Sequence, residues 1–353
     1  MIRPLLRSVR HLLKAVCLLV GVLCIGEVAL RADRVVAARQ RATTQPEIIV
    51  PSAVCHAELK PLLDLTRGER TLRSSSYGTR GAEPSVPKPA GTLRLLVLGD
   101  DSTLALDQPA AATFCQQIQT RLAAQTGQTV EVINAGLPGG CPLLSALQYR
   151  HRLAALRPDA VLLVLDAGDV VDDLRVRSQL RVDADGRPMA CPHPATRSSR
   201  ATWQSELILA DLLTRQVAAR WMAATSPMRS DRLCPKRRHE WMTDPDGWAA
   251  PLVDTLEPIP GLRDEAVAAG ATFHLTAVPV ADSLRPSAVS PWSLIGRFAM
   301  AHQLDWLDPT PGLARQSQAA AIFETADACN VPKLSATGHA LLGQAIALHL
   351  LRR

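Results

Sequence analysis

Aromatic side chains are scarce, at 3% of 353 residues, so a core has to be assembled from leucine, valine and alanine. Lysine is scarcer: only Lys14, Lys60, Lys88, Lys236 and Lys333 occur, and the formal charge of +6 rests almost wholly on arginine. No basic stripe interleaved with aromatics is present, which argues against a nucleic-acid surface. No CxxC spacing occurs, so no zinc site is expected. The absence of an internal repeat argues against a solenoid or a propeller. Long apolar runs are missing too, with one exception close to the amino terminus.

What the chain does have is ample hydrophobic content, 47%, and enough length for one large domain or two ordinary ones. Arg3, Arg7, Arg10 and Lys14 precede the apolar stretch from Ala15 to Gly26, and Arg31, Arg34 and Arg39 follow it. Counted from Leu12 to Leu30, the run nearly spans a bilayer, and no small-x-small cleavage site follows it. Residues 1–30 therefore read as an uncleaved anchor whose basic end stays in the cytoplasm, with the main domain outside. Secretion after cleavage is the alternative. Residues 31–92 read as a polar tether and an irregular, proline-rich lead-in, and 93–353 as the folded domain. Cys17 and Cys24 fall in the anchor. The remaining six, Cys55, Cys115, Cys141, Cys191, Cys234 and Cys329, permit up to three disulfides in an oxidising compartment, with the pairing open.

The stretch from Arg94 to Leu98 reads as a buried parallel strand. It runs into Gly99-Asp100-Asp101-Ser102-Thr103 and delivers those side chains to the carboxyl edge of a sheet, where open α/β sheets place their sites. The competing reading of the acidic pair is turn chemistry, with Asp101 or Ser102 capping the next element. Ala111 to Ala124, with Phe114, Ile118 and Leu122 on one face, reads as the crossover helix. A second strand, Val130 to Ile133, enters a glycine-rich loop from Asn134 to Gly140, and a helix is expected over Leu143 to Leu156. The third strand, Ala160 to Leu165, leads into Asp166-Ala167-Gly168-Asp169. Residues 175–250 form a long, lid-like connection with a helix from Ser205 to Met222. A helix from Ala249 to Ala269, interrupted at Pro258 and Pro260, precedes a fourth strand, Thr272 to Val278, in which His274 reads as a satisfied core histidine. Leu304 to Leu307 is the fifth strand. The expectation is a three-layer α/β/α sandwich around a flavodoxin-like, doubly wound five-stranded parallel sheet of order 2-1-3-4-5, preceded by an amino-terminal membrane helix.

The strand that stops at Gly99-Asp100 resembles the opening block of the SGNH hydrolases, the GDSL esterases and lipases, in which Gly-Asp-Ser presents the serine nucleophile. Asp101 stands at that serine's position. The turn Gly78-Thr79-Arg80-Gly81 is similar to one that lies on the domain in membrane-anchored bacterial members. Asn134, Gly136 and Gly139 match the second block, Asn-x-Gly-x-x-Gly, with Gly136 at the oxyanion glycine. Asp166 to Asp169 falls on the third block, Gly-x-Asn-Asp, with Gly168 in place of the asparagine. Asn330 to His339 looks like the closing block, with Asn330 for the aspartate and Lys333 for the catalytic histidine. His339 matches a structural position at a helix start.

The resemblance spans about residues 70–353. It implies a pocket of Asp100, Asp101, Ser102, Gly136, Asp166, Gly168, Asp169 and Lys333, on the periplasmic side of a bacterial inner membrane. Of the family's working set, Asp101, Gly136, Gly168, Asn330 and Lys333 mark the positions, and Gly136 alone keeps its residue. Loss of one oxyanion donor costs about 2.7–4 kcal/mol in the transition state. The expectation is a protein without ester hydrolysis that serves as a binding or accessory component, with a glycan or acylated carbohydrate as ligand. That ligand class is what the resemblance implies, because family members often act on acylated sugars. One alternative is an active esterase with Asp101 as nucleophile and Lys333 as acid. Another is an acidic pocket in which Asp101, Asp166 and Asp169, beside Asp100, hold a divalent cation. An Asp101–Lys333 ion pair across the pocket is preferred to the metal. No cofactor is expected, and a protein partner is left open.

Overall fold

The computed structural model describes residues 2–44, 48–67, 70–196, 240–284, 292–316, 319–324 and 333–352. The chain divides into two units. The first comprises Met1–Glu47 and Arg197–Ser230, and its described part is helix α1, Ile2–Thr44. Within α1, Leu13–Ala32 has a mean hydropathy of 2.3 and is long and apolar enough to cross a membrane. Glu27 pairs with Arg31 at 2.7 Å, one turn further along. The tether expected from residue 31 is helical as far as Thr44. No proline or glycine stands between Glu27 and Gln45, and the alanine- and arginine-rich composition favours propagation of the helix.

The second unit, Ile48–Thr196 with Asp231–Arg353, holds the sheet. Its strands are β1 (Thr92–Gly99), β2 (Thr129–Gly136), β3 (Ala160–Leu165), β4 (Thr272–Ala277) and β5 (Asp305–Leu307). All neighbouring pairs are parallel, and the order is 2-1-3-4-5. Its longer helices and the one-turn α2 are α2 (Asp101–Leu104), α3 (Phe114–Thr126), α4 (Pro142–Gln148), α5 (Asp169–Val176), α6 (Ala249–Leu256), α7 (Pro258–Ala268), α8 (Ser293–Ala301) and α9 (Ala336–Leu350).

Alternation along the strands makes the three layers. Leu96, Leu98, Val161, Leu163 and Leu275 pack on one face with residues of α4, α6, α7 and α8. Leu95, Val97, Leu162 and Val164 pack on the other, against Phe114, Ile118 and Leu122 of α3 and Leu342 and Ile346 of α9. The first layer also buries Trp241, Trp248 and Trp292, half of the chain's six tryptophans, so the few large rings concentrate on one side.

Local chemistry sets the helix limits. Thr113 caps α3 by accepting from the Gln116 N–H, and Gly127, at φ 66°, ends it. The Ser335 hydroxyl caps α9 by accepting from the Gly338 N–H. Pro258 begins α7 as its first residue and separates it from α6. The single helix expected from Leu143 to Leu156 is α4 followed by a π-helical turn, Tyr149–Leu153, and a 3₁₀ turn, Ala154–Leu156.

The lead-in is more regular than its composition suggests. It contains two short antiparallel pairs, Ile49–Pro51 with Ala57–Leu59 and Asp64–Arg67 with Arg70–Arg73. Main-chain pairing supplies this order, and turn-forming residues do not reveal it. Arg80, in the Gly-x-Arg-Gly turn, fastens the lead-in to the domain. Its N–H bonds Asn134 O at 2.8 Å, and its guanidinium donates to the carbonyls of Leu104, Ala105 and Gln108. These contacts satisfy orphan carbonyls beyond α2.

Of the expected lid, 175–176 end α5, 177–190 form a turn and a hairpin of Arg181–Val182 with Pro188–Ala190, and Glu240–Thr243 form a helical turn. The helix expected over 205–222, Cys234, Cys329 and Asn330 lie outside the described residues. Cys55, Cys115, Cys141 and Cys191 are free, buried thiols, so the count of cysteines translates into no disulfide among these four. Cys115 lies in a different apolar cluster from the other three.

Candidate functional site

The site is built where β1, β2 and β3 end. The crossing from β1 into α2 is tight. Asp100 is the cap of α2: its Oδ1 accepts the Ser102 N–H at 2.8 Å, which assigns the capping role to Asp100 rather than to Asp101 or Ser102. Glycines make the crossing fit. A Cβ on Gly136 would lie 2.3 Å from Leu104 N and 2.8 Å from Asp100 O, and one on Gly140 would lie 2.8 Å from Gly99 O. The expected loop from Asn134 is strand as far as Gly136, and the end of β2 with the glycines after it is thus a packing surface for α2. Asn134 completes the joint, its Nδ2 donating to Thr103 O at 2.7 Å.

Seven of the eight residues anticipated for the pocket, all but Lys333, are bonded to one another or to neighbours on this rim. Ser102 Oγ donates to Asp166 Oδ2 at 2.8 Å, which joins the end of β1 to the end of β3. Asp166 Oδ1 accepts the Gly168 N–H at 2.7 Å, and Asp169 Oδ2 accepts the Asp166 N–H at 3.1 Å. Asp101 Oδ2 accepts the Gly139 N–H at 3.1 Å. The Gly136 N–H, anticipated as an oxyanion donor, goes to Asn134 Oδ1 at 3.1 Å. Burial, and then the charges of Asp166, Asp169 and Asp101, push the Asp100 carboxyl well above its ordinary 3.8, with the Ser102 N–H opposing them in part.

Lys333 is placed differently from the expectation. Its Nζ lies 4.0 Å from Asp107 Oδ2, beyond α2, and an Asp101–Lys333 pair is not among the ion pairs of the described residues. The closing block brings Lys333 toward Asp107 because its backbone pairs with Phe323 and Glu324, next to the element that Gln108 binds. Asp101, Asp166 and Asp169 do not form a cation cluster either. Among the described residues the one group of three or more ligand atoms lying within 4.8 Å of one another is His274, Asp305 and His349.

Of nine histidines, only His239 lies outside the described residues, and none of the others hydrogen-bonds to Ser102. His339 stacks on Phe114 with ring centroids 5.7 Å apart, and its Nδ1 accepts the Phe114 N–H. Burial lowers it to about 4, as suits a neutral structural group at a helix start. The extra acids of the third block are neutralised on α5. Asp172 pairs with Arg175 at 2.6 Å, and Asp173 with Arg177 at 2.7 Å.

One contributor had no signal in the sequence pattern, and the role of another was not visible in it. Trp241 Nε1 donates to Ala167 O at 2.8 Å, so a ring from the end of the long connection supports the third loop. Asn134 occupies the Gly136 N–H, which a match of block letters cannot reveal.

Sheet order, crossover placement and the positions of the three blocks at the strand ends now stand together. The chain has a doubly wound α/β fold around a five-stranded parallel sheet of order 2-1-3-4-5. Solved structures to which it is similar include a two-domain esterase active on acetylated mannans, with 14% identity over 74% of this chain and 50% of that one and a TM-score of 0.41. The chain therefore spans half the length of that esterase. It is also similar to TesA, at 14% identity, covering 73% of this chain and 97% of that one, with a TM-score of 0.40. A lipase/acylhydrolase from Enterococcus faecalis is similar at 15% identity, covering 73% and 94%, with a TM-score of 0.38. No protein-family model matches the chain, and no curated protein sequence does.

Proposed function

We propose that this chain is a membrane-tethered protein of SGNH-hydrolase fold that does not hydrolyse esters and instead binds a polyhydroxylated ligand, a glycan or acylated carbohydrate, outside the cytoplasm. One observation carries the reading. The N–H groups of Gly136, Gly168 and Gly139, which line the rim where an oxyanion would need donors, are each bonded to a side-chain oxygen of the chain itself. A developing oxyanion has to break one of these bonds before it gains a donor, which removes the preorganisation that makes such donors effective. Aspartate at the family's serine position and the lack of an imidazole on Ser102 among the described residues point the same way. Carboxylates on the rim are acceptors suited to sugar hydroxyls. The glycan itself comes from the resemblance. The placement outside the cytoplasm rests on the basic residues before the apolar part of α1.

The 2.8 Å contact between Ser102 and Asp166 favours a second reading, in which Ser102 is a nucleophile and Asp166 its base. One experiment separates the two. Full-length protein in detergent is assayed against short-chain aryl esters and acetylated glycans, and binding of acetylated oligosaccharides is followed by calorimetry. The proposal expects binding without turnover. Turnover that disappears in Ser102→Ala establishes the second reading, and turnover that disappears in Asp101→Ala overturns the first by another route.

A further inference from the structure

We infer that His274, Asp305 and His349 form a binding site for a divalent transition metal of the zinc class, separate from the acidic rim. His274 lies on β4 and pairs across the sheet with Asp305, the first residue of β5. His349 comes from the last turn of α9, 44 residues after Asp305. His274 Nδ1 is 2.6 Å and His349 Nε2 3.0 Å from the same oxygen, Asp305 Oδ2. Two imidazoles and one carboxylate therefore converge from three elements, with their ligand atoms all within 4.8 Å.

The convergence has the features of a ligand set. Nitrogen and oxygen donors of this kind suit Zn²⁺, which takes His N and Asp O at about 2.0–2.2 Å in tetrahedral geometry. Such geometry holds ligand atoms roughly 3.3 Å apart. The two separations to Asp305 Oδ2, 2.6 and 3.0 Å, have to widen by under about 1 Å to reach that spacing. His274 Nε2 is 2.9 Å from Thr272 Oγ1, an outer partner that fixes the ring and leaves Nδ1 for the ion. His274 is 8% exposed at its side chain, while Asp305 and His349 are 17% exposed, so the site has a dry wall and one open side for a water ligand. A bound ion ties the edge of the sheet to the end of the chain.

The site is distinct from the rim. His274 is opposite Leu162, and Asp166 lies four residues further along that strand, about 13 Å at strand rise. The lack of a CxxC spacing led to the expectation of no zinc site. That spacing bears only on cysteine-based sites, and a site at His274, Asp305 and His349 departs from the expectation because the fold assembles these ligands from residues far apart in sequence.

The test uses full-length protein in detergent, stripped with a chelator and titrated with Zn²⁺ by calorimetry, with Co²⁺ as an optical probe. One ion per chain, a raised melting temperature and tetrahedral Co²⁺ bands are expected. His349→Gln and Asp305→Asn should each weaken binding more than roughly tenfold. X-ray absorption on the Zn²⁺-loaded wild type should read two imidazole ligands, whether or not the variants fold. Absence of binding overturns the proposal, and so does binding unchanged in both variants. Binding lost in His193→Ala also overturns it, because it assigns the ion to the His56–His193 pair, whose rings are 4.7 Å apart.

Discussion

Ser102 Oγ donates a hydrogen bond of 2.8 Å to Asp166 Oδ2, so a hydroxyl just past the first strand is held by a carboxylate just past the neighbouring one. In this arrangement the serine proton has an acceptor but no titrating imidazole among the described residues. The N–H groups of Gly136, Gly139 and Gly168 beside it are bonded to the chain's own side-chain oxygens.

Restoring single letters of the family's pattern should therefore not restore chemistry. Asp101→Ser alone, and Asp101→Ser with Lys333→His, are expected to show no ester turnover above background. Lys333 is directed to Asp107, and the Gly136 and Gly168 N–H groups remain occupied. An aryl-ester assay showing turnover in the double variant contradicts this account.

Asp100 carries a pH signature. Its folded-state carboxyl is raised above 3.8 by burial and by neighbouring carboxylates, so folding favours the protonated form. The stability it contributes is complete below about pH 3.8 and declines as pH rises through the folded-state value. Asp100→Asn keeps a capping oxygen and removes the ion. It should raise the melting temperature at neutral pH, with the gain vanishing toward pH 4. Circular dichroism melts across that range read the crossover.

His339 has the opposite sign. Burial lowers it from 6.5 to about 4, so the neutral ring belongs to the folded state. Its contribution is complete above about pH 6.5 and is lost as pH falls toward 4, on the order of 3 kcal/mol in all. His339→Gln should flatten the acid limb of the stability curve over that interval, as measured by urea denaturation at a series of pH values.

Gly136→Ala and Gly139→Ala separate packing from backbone freedom. A Cβ at Gly136 meets Leu104 N at 2.3 Å, and the backbone of α2 cannot yield without breaking its cap. A loss of about 3 kcal/mol or more is expected. Gly139 is at φ 58° with nothing within 4 Å of an added Cβ, so its substitution should cost only about 1–2 kcal/mol. Equal losses in urea denaturation would remove the packing explanation.

The sheet was legible because its signals are local. Apolar runs such as Ala160 to Leu165 bury both faces and end close to glycine, aspartate or proline, so strand number and order followed with short-range corrections. The helical continuation of α1 past residue 31 and the short hairpins of the lead-in were not legible. In the first, propensity prevailed over the lack of periodicity. In the second, main-chain pairing left no mark on composition. At the rim, the identities of Asp100, Asp101, Ser102, Asp166 and Gly168 could be read in advance, but not which groups each would bond.

By itself the sequence determined the layered α/β architecture, the apolar segment near the amino terminus and which residues stand at the strand ends, because each depends on residue type within a short window. Only the tertiary structure decided that Ser102 meets Asp166, that Lys333 turns to Asp107 and that His274, Asp305 and His349 converge. Those contacts join residues that are tens to hundreds of positions apart. Their distances are set by strand register and helix docking, which no local pattern encodes.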